Sequence, residues 1–166
     1  MKINNHRFIK NYIDELNEAF SGLNFDQLIK CKTLILNKIK MNKNIYVCGN
    51  GGSSSISNHF LCDFNKSIKL SSKNNKLKPK VISLTSNTDL LTAIANDLSY
   101  EKIFSYQLEN FAKKGDLLVL FSCSGLSKNI LKVADFAKKK KVEIISFVGF
   151  TKKTRLKKLS KIFINL

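Results

Sequence analysis

Apolar residues recur at two different periods along the chain, and the change falls near residue 43. Before it, Phe8, Ile9, Tyr12, Ile13, Leu16 and Phe20 share one side of a helical repeat, which predicts an amphipathic helix. A second helical stripe begins near Phe25 and runs through Leu28, Ile29, Leu34 or Ile35, and Ile39. Between the two, SGLNFD reads as a turn, with Asn24 or Asp26 opening the second helix. Beyond residue 43 short apolar runs alternate with longer periodic ones. NIYVCG, rich in β-branched and aromatic residues, reads as a buried parallel strand, and SISNHFLCDFNKSI as the helix after it. A polar link, KLSSKNNKLKPK, carries the only proline, Pro79. VISLT then reads as a strand, DLLTAIAND as a helix, and YEKIFSYQLENFAKKG as a helix stopped by Gly115 with lysines in its last turn. DLLVLFS, VEIISFVG and KIFINL supply three more strands, with SKNILKVADFAKKKK as the helix after the first of them. The alternation predicts an α/β fold, a five-stranded parallel sheet flanked by helices. One domain of 166 residues is expected, with 1–42 as leading helices and 43–166 as the sheet core.

In such sheets ligands bind beyond the carboxyl ends of the strands. The segments expected there are Gly49–Ser53, Thr85–Thr88, Ser122–Ser127 and Gly149–Thr151. GNGGSSS lies between a strand and a helix, where glycines allow a sharp turn and a helix start offers N–H groups to an anion. It matches neither the dinucleotide nor the P-loop glycine pattern, which disfavours both of those ligands. SCSGLS repeats the theme with three hydroxyls and a glycine before a helix, a second anion cradle. His59 and Asp63 are four apart on one helix face, a spacing that suits a metal pair or an acid/base pair. Each has a plain structural alternative: a capped tight turn for the loops, a solvated ion pair for His59 and Asp63, and a helix-end turn for Asn96 and Asp97.

Composition narrows the partners. The chain carries 29 Lys and Arg against 12 Asp and Glu, a formal charge of +17. Lysine, asparagine and isoleucine are abundant throughout, so the charge reads as a general bias and nucleic acid is disfavoured; phosphorylated metabolites would still be attracted. Cys31, Cys48, Cys62 and Cys123 form no CxxC pair, which argues against a disulfide framework or a cysteine metal site. No apolar run approaches the ~20 residues of a membrane span, and the polar start lacks a signal-peptide core, so a cytoplasmic protein without a membrane partner is expected.

CGNGGSSSISNHFLCDF, ANDLSYEKIF and FSCSGLSKNILKVADFAKKKKVEIISFVG together resemble the SIS (sugar isomerase) fold, and within it the phosphoheptose isomerase family. The resemblance implies a three-layer sandwich and a homo-oligomer, a tetramer built on the N-terminal helices. It implies a sugar phosphate contacted by Asn50, Gly51, Gly52, Asp63, Asn96, Asp97, Ser122, Cys123, Ser124 and Ser127, with the serine loop on the phosphate. Asp63 takes the place of a catalytic carboxylate, and His59 and Asp63 match the first two positions of a zinc site. The implied reaction interconverts sedoheptulose 7-phosphate and an aldoheptose 7-phosphate through an enediol, for envelope polysaccharide. Three departures stand out. Asp63 replaces the family's glutamate, and Cys123 replaces a threonine. The family's last helix, with a glutamine and a histidine that complete the zinc site, has no counterpart before the sequence stops at KIFINL, and His6 is a poor substitute. A second reading is therefore a catalytically inactive SIS module that binds a sugar phosphate or a replication-initiation protein.

Overall fold

A computed structural model describes residues 5–149 and 153–165. Phe150 and Thr151, expected beyond the fourth strand, and Leu166, at the end of the fifth, lie outside the described residues. Two helices lead the chain, α1 (Asn5–Ser21) and α2 (Phe25–Lys40). Asn24 is the cap of the second, accepting the Gln27 N–H at 3.0 Å. Then follow β1 (Asn44–Gly49), α3 (Gly52–Cys62), a π-helical turn over Asp63–Ile68, and a last turn α4 (Lys69–Ser71). A 3₁₀ turn over Lys73–Asn75 leads to β2 (Lys80–Ser83) and α5 (Thr88–Asp97). After a 3₁₀ turn over Tyr100–Lys102 come α6 (Ser105–Phe111), β3 (Leu117–Ser122), α7 (Lys128–Lys139), β4 (Glu143–Val148), α8 (Leu156–Leu159) and β5 (Ile162–Asn165).

The five strands form one parallel sheet in the order β2-β1-β3-β4-β5. Successive side chains leave opposite faces of a strand, so each inner strand feeds two cores. Tyr46, Cys48, Leu118, Leu120 and Ile144 pack with Leu108 of α6 and Ile130, Val133, Ala134 and Ala137 of α7. Ile45, Val47, Val119 and Ile145 pack on the other face with Cys31, Ile35 and Ile39 of α2, and with Phe60 and Phe64. The result is the expected three layers. Burial lifts the thiols of Cys31, to about 11, and of Cys48 well above the ordinary range, so both act as small apolar groups.

Two stretches differ from the expectation. The helix expected to run from Tyr100 to Gly115 is a 3₁₀ turn followed by a helix that ends at Phe111. Asp116, 2% exposed, accepts the Lys113 N–H at 2.9 Å and the Asn44 N–H at 3.1 Å. That carboxylate draws residues 113–116 into a turn at the amino ends of β1 and β3 and removes them from the helix. The basic run around Lys157 contains a short helix, α8, whose Leu156 is fully buried.

Candidate functional site

In the strand order the chain leaves β1 towards one edge and then crosses back to β3, so the direction of winding reverses between these two neighbours. Loops after strands on either side of such a reversal part from each other and leave a crevice. The two loops in question are Asn50–Gly51, before α3, and Cys123–Ser127, before α7.

The glycine loop starts where nothing but glycine fits. A Cβ on Gly49 would stand 2.6 Å from the Ser53 Cβ and 2.8 Å from the Phe121 carbonyl oxygen. Gly51 has φ +53, a left-handed backbone that glycine adopts without strain. Gly52 has open space where a side chain would be. The turn thus packs tightly at its base and exposes backbone at its tip.

Asn50 lies at the centre of the crevice. Its Nδ2 donates to Asn129 Oδ1 at 2.9 Å, and Asn129 Nδ2 donates back to Asn50 Oδ1 at 2.8 Å. The Tyr100 hydroxyl donates to the same Asn50 Oδ1 at 3.2 Å. Asn129 lies in the first turn of α7 and is buried, so this pair ties the glycine loop to the helix behind the serine loop. Beside Asn50 opens a cavity of about 210 Å³, with Gly51, Ser54, Thr85, Thr92 and Tyr100 on its wall. Its floor is stiffened by a hydroxyl cluster: Ser83 and Thr85 donate to Asn58 Oδ1 at 2.7 and 3.0 Å.

The serine loop is held from within. Ser122 Oγ accepts the Gly125 N–H at 3.0 Å, and Ser124 Oγ accepts the Leu126 N–H at 3.2 Å. Gly125 has φ +65, and Thr154 Oγ1 donates to its carbonyl at 2.6 Å. Ser127 caps α7 by position but makes no capping hydrogen bond through its side chain. Among the described residues nothing takes the hydroxyl hydrogens of Ser122, Ser124 or Ser127, so all three are left as donors at the start of a twelve-residue helix. Cys123 is exposed and, with Ser53, Ser122 and Gly149, lines a smaller cavity of about 110 Å³.

His59 and Asp63 lie further along α3 and the π-helical turn, with Nε2 and Oδ2 3.3 Å apart and side chains 78% and 51% exposed. Neither lines the two cavities just described. Among the described residues no group of three or more His, Cys, Asp or Glu side chains could share a metal ion. Zinc takes three or four protein donors, so these two residues alone do not fit it. Asn96 and Asp97 are exposed at the end of α5, where Asn96 Nδ2 donates to Asp97 Oδ1 at 2.9 Å; they too stay off the cavity wall.

Asn129, Tyr100, Asn58 and Thr92 escaped the sequence reading. Asn129 left one trace, a polar residue beside Ile130 on the buried stripe of α7, where an unpaired amide would be costly. Tyr100 looked like one more aromatic in a helical repeat.

Comparison with known proteins bears on the family and the fold. The SIS domain family profile matches residues 8–149. The phosphoheptose isomerase of Clostridium acetobutylicum is 38% identical over 128 residues, 77% of this chain and 63% of that protein. The chain therefore spans less than two thirds of this relative's length. The phosphoheptose isomerase of Campylobacter concisus is 36% identical over 144 residues, 85% of this chain and 74% of that one. Among solved structures, the phosphoheptose isomerase of Neisseria gonorrhoeae superposes with a TM-score of 0.82 at 24% identity, covering 98% of this chain and 84% of that one.

Proposed function

Since the chain belongs to the phosphoheptose isomerase family of SIS-domain proteins, we propose that it binds a heptose phosphate in the β1/β3 crevice and interconverts the 2-ketose and aldose forms. Sedoheptulose 7-phosphate is the substrate we assign, and envelope polysaccharide the use of the product. The observation that carries this reading is the pair of loops at the reversal of winding. One offers three serine hydroxyls and a helix start, the other exposed backbone and an oriented amide beside a cavity of about 210 Å³.

The division of labour follows from those groups. A phosphate dianion wants several short donors and a positive dipole end, which Ser122, Ser124, Ser127 and α7 supply. Cys123 stands among them as a weak donor. The open-chain carbons would extend towards Asn50, Gly51 and Gly52, with Asn96 and Asp97 at the outer rim. Isomerisation needs one base to move a proton between C1 and C2, and donors for the oxygen that becomes charged in the enediol. Asp63 is the carboxylate nearest in sequence to the glycine loop, and His59 can hydrogen-bond it.

One observation favours a second reading, binding without turnover: His59 and Asp63 are exposed and have no third metal-ligating neighbour among the described residues. We also propose a homo-oligomer, a tetramer, joined through α1, whose apolar stripe finds no cover among the described residues.

The test is a thermal melt with sedoheptulose 7-phosphate, together with assay of the aldose product. A ligand at one hundred times its Kd raises stability by about 2.7 kcal/mol, and Ser124→Ala should shrink that gain. An unchanged midpoint for the unaltered protein overturns the binding site; binding without product selects the second reading.

A further inference from the structure

Resting on that reading of the crevice, we propose that Asn129 is a positioning residue, which makes Asn50 present an N–H donor, and not a carbonyl, to the substrate. An asparagine amide has two ends of similar shape and opposite chemistry, and nothing in its own geometry chooses between them. Here the choice is made by the backbone of α7. The Ile130 N–H points at one end of the Asn129 side chain, 2.9 Å away. An N–H cannot donate to an NH₂ group, so that end of Asn129 is its oxygen. The opposite end is then Nδ2, which faces Asn50 at 2.8 Å and requires oxygen there. The Asn50 nitrogen falls in turn against Asn129 Oδ1 at 2.9 Å.

Asn50 Oδ1 accepts from Asn129 and from the Tyr100 hydroxyl, so both its lone pairs are used. Asn129 Oδ1 accepts from Ile130 and from Asn50 and is filled likewise. Asn50 Nδ2 has two hydrogens and gives one to Asn129; among the described residues nothing takes the other. Asn50 lines the cavity. The group it offers there is one N–H, suited to a carbonyl or hydroxyl oxygen of the open-chain sugar and repelled by nothing on it. Asn129 itself is 2% exposed and does not reach the cavity wall. It acts through Asn50.

Asn129→Asp separates this role from a structural one. The carboxylate still accepts the Ile130 N–H, so the helix start keeps its partner, but it has no hydrogen for Asn50 Oδ1. We expect Asn129→Asp to weaken sedoheptulose 7-phosphate binding about tenfold, as loss of an oriented hydrogen bond does, while binding of inorganic phosphate by the serine loop is unchanged. Asn50→Ala should weaken the sugar phosphate similarly, and the double variant should be no worse than Asn50→Ala alone. Equal loss for phosphate and sugar phosphate, no loss for either, or additive losses would overturn the proposal. The side-chain amide signals of Asn50 give a readout that needs no ligand: Asn129→Asp should shift them and speed their hydrogen exchange. Unchanged Asn50 signals overturn the positioning role even if the protein binds no sugar phosphate. Conversely, an unaltered protein that ignores sedoheptulose 7-phosphate while Asn50 responds as described overturns the proposed substrate and leaves the orientation of Asn50 established.

Discussion

The glycines of the first loop, Gly49, Gly51 and Gly52, do different work, although CGNGGSSS shows them as one motif. At Gly49 an added Cβ meets Ser53 and the Phe121 backbone at 2.6 to 2.8 Å, atoms of two packed elements that cannot swing away. At Gly52, the first residue of α3, nothing lies within 4 Å and φ is not positive. Overpacking a core costs about 1–3 kcal/mol, whereas glycine to alanine at a compatible position gains about 0.4–1 kcal/mol. Gly49→Ala should therefore lower the melting temperature by several degrees and Gly52→Ala should leave it equal or higher, as read by circular dichroism. If Gly52 is where backbone approaches a ligand, Gly52→Ala will also weaken sugar phosphate binding in a protein that melts normally. The sequence announces that a turn is there. Which glycine is squeezed depends on Phe121, more than seventy residues away, and that distance in sequence is closed only by the β1–β3 pairing.

Among the elements, the strands were the most legible, because a run buried on both faces must be apolar throughout and cannot be confused with a half-exposed helix of that length. Helix ends were less so. Nothing in YEKIFSYQLENFAKKG reveals that Asp116 will claim the Lys113 amide, since Asp116 is placed by its bond to Asn44 at the start of β1. The π-helical turn over Asp63–Ile68 was hidden too. There Asn65 both donates to the Val81 carbonyl and accepts the Val81 N–H, clasping the edge strand β2 through contacts remote in sequence. One link between elements has a pH signature. The Lys38 ammonium, 7% exposed, reaches the Gly115 carbonyl and the Glu143 carboxylate, both at 2.6 Å, and Lys161 holds the same carboxylate from the other side. Burial pushes the Glu143 pKa up, but the hydrogen bonds and charges of Lys161 and Lys38 outweigh it and hold the group below its ordinary range. As pH falls the unfolded chain takes up the proton first. The stabilisation is thus complete above the ordinary glutamate range and is lost as pH drops through it towards the folded value. Glu143→Gln should cost about 2 kcal/mol at neutral pH, since Lys38 loses its counter-charge. Its melting temperature should converge on that of the unaltered protein at acid pH; parallel curves across the range would show that Glu143 does not titrate as described.

At the scale of the whole molecule, two opposed features bear on assembly. Phe8, Ile9, Tyr12, Ile13, Leu16 and Phe20 are 45–65% exposed, and α1 buries none of its residues. An apolar stripe of this length left open to water favours a partner helix, and a second copy of the chain supplies one of the same character. Against this stands a charge of +17 on every copy, which repels at long range. The two forces respond differently to salt: screening shortens the repulsion to about 8 Å at physiological ionic strength and leaves the apolar contact intact. Association through α1 should therefore tighten as sodium chloride is raised, a direction opposite to that of an interface built on ion pairs. Light scattering coupled to size exclusion reads both this trend and the mass. Ile9→Asp combined with Ile13→Asp places carboxylates on the stripe without touching the sheet, and should reduce the assembly to smaller species with an unchanged fold by circular dichroism. A protein that is monomeric at every salt concentration, or a double variant that assembles as before, would remove α1 from the interface. The amphipathic pattern of α1 was visible from its six large apolar positions; that the sheet would not cover it was not, because α2, through Cys31, Ile35 and Ile39, and Phe60 and Phe64 already pack on that face of the sheet.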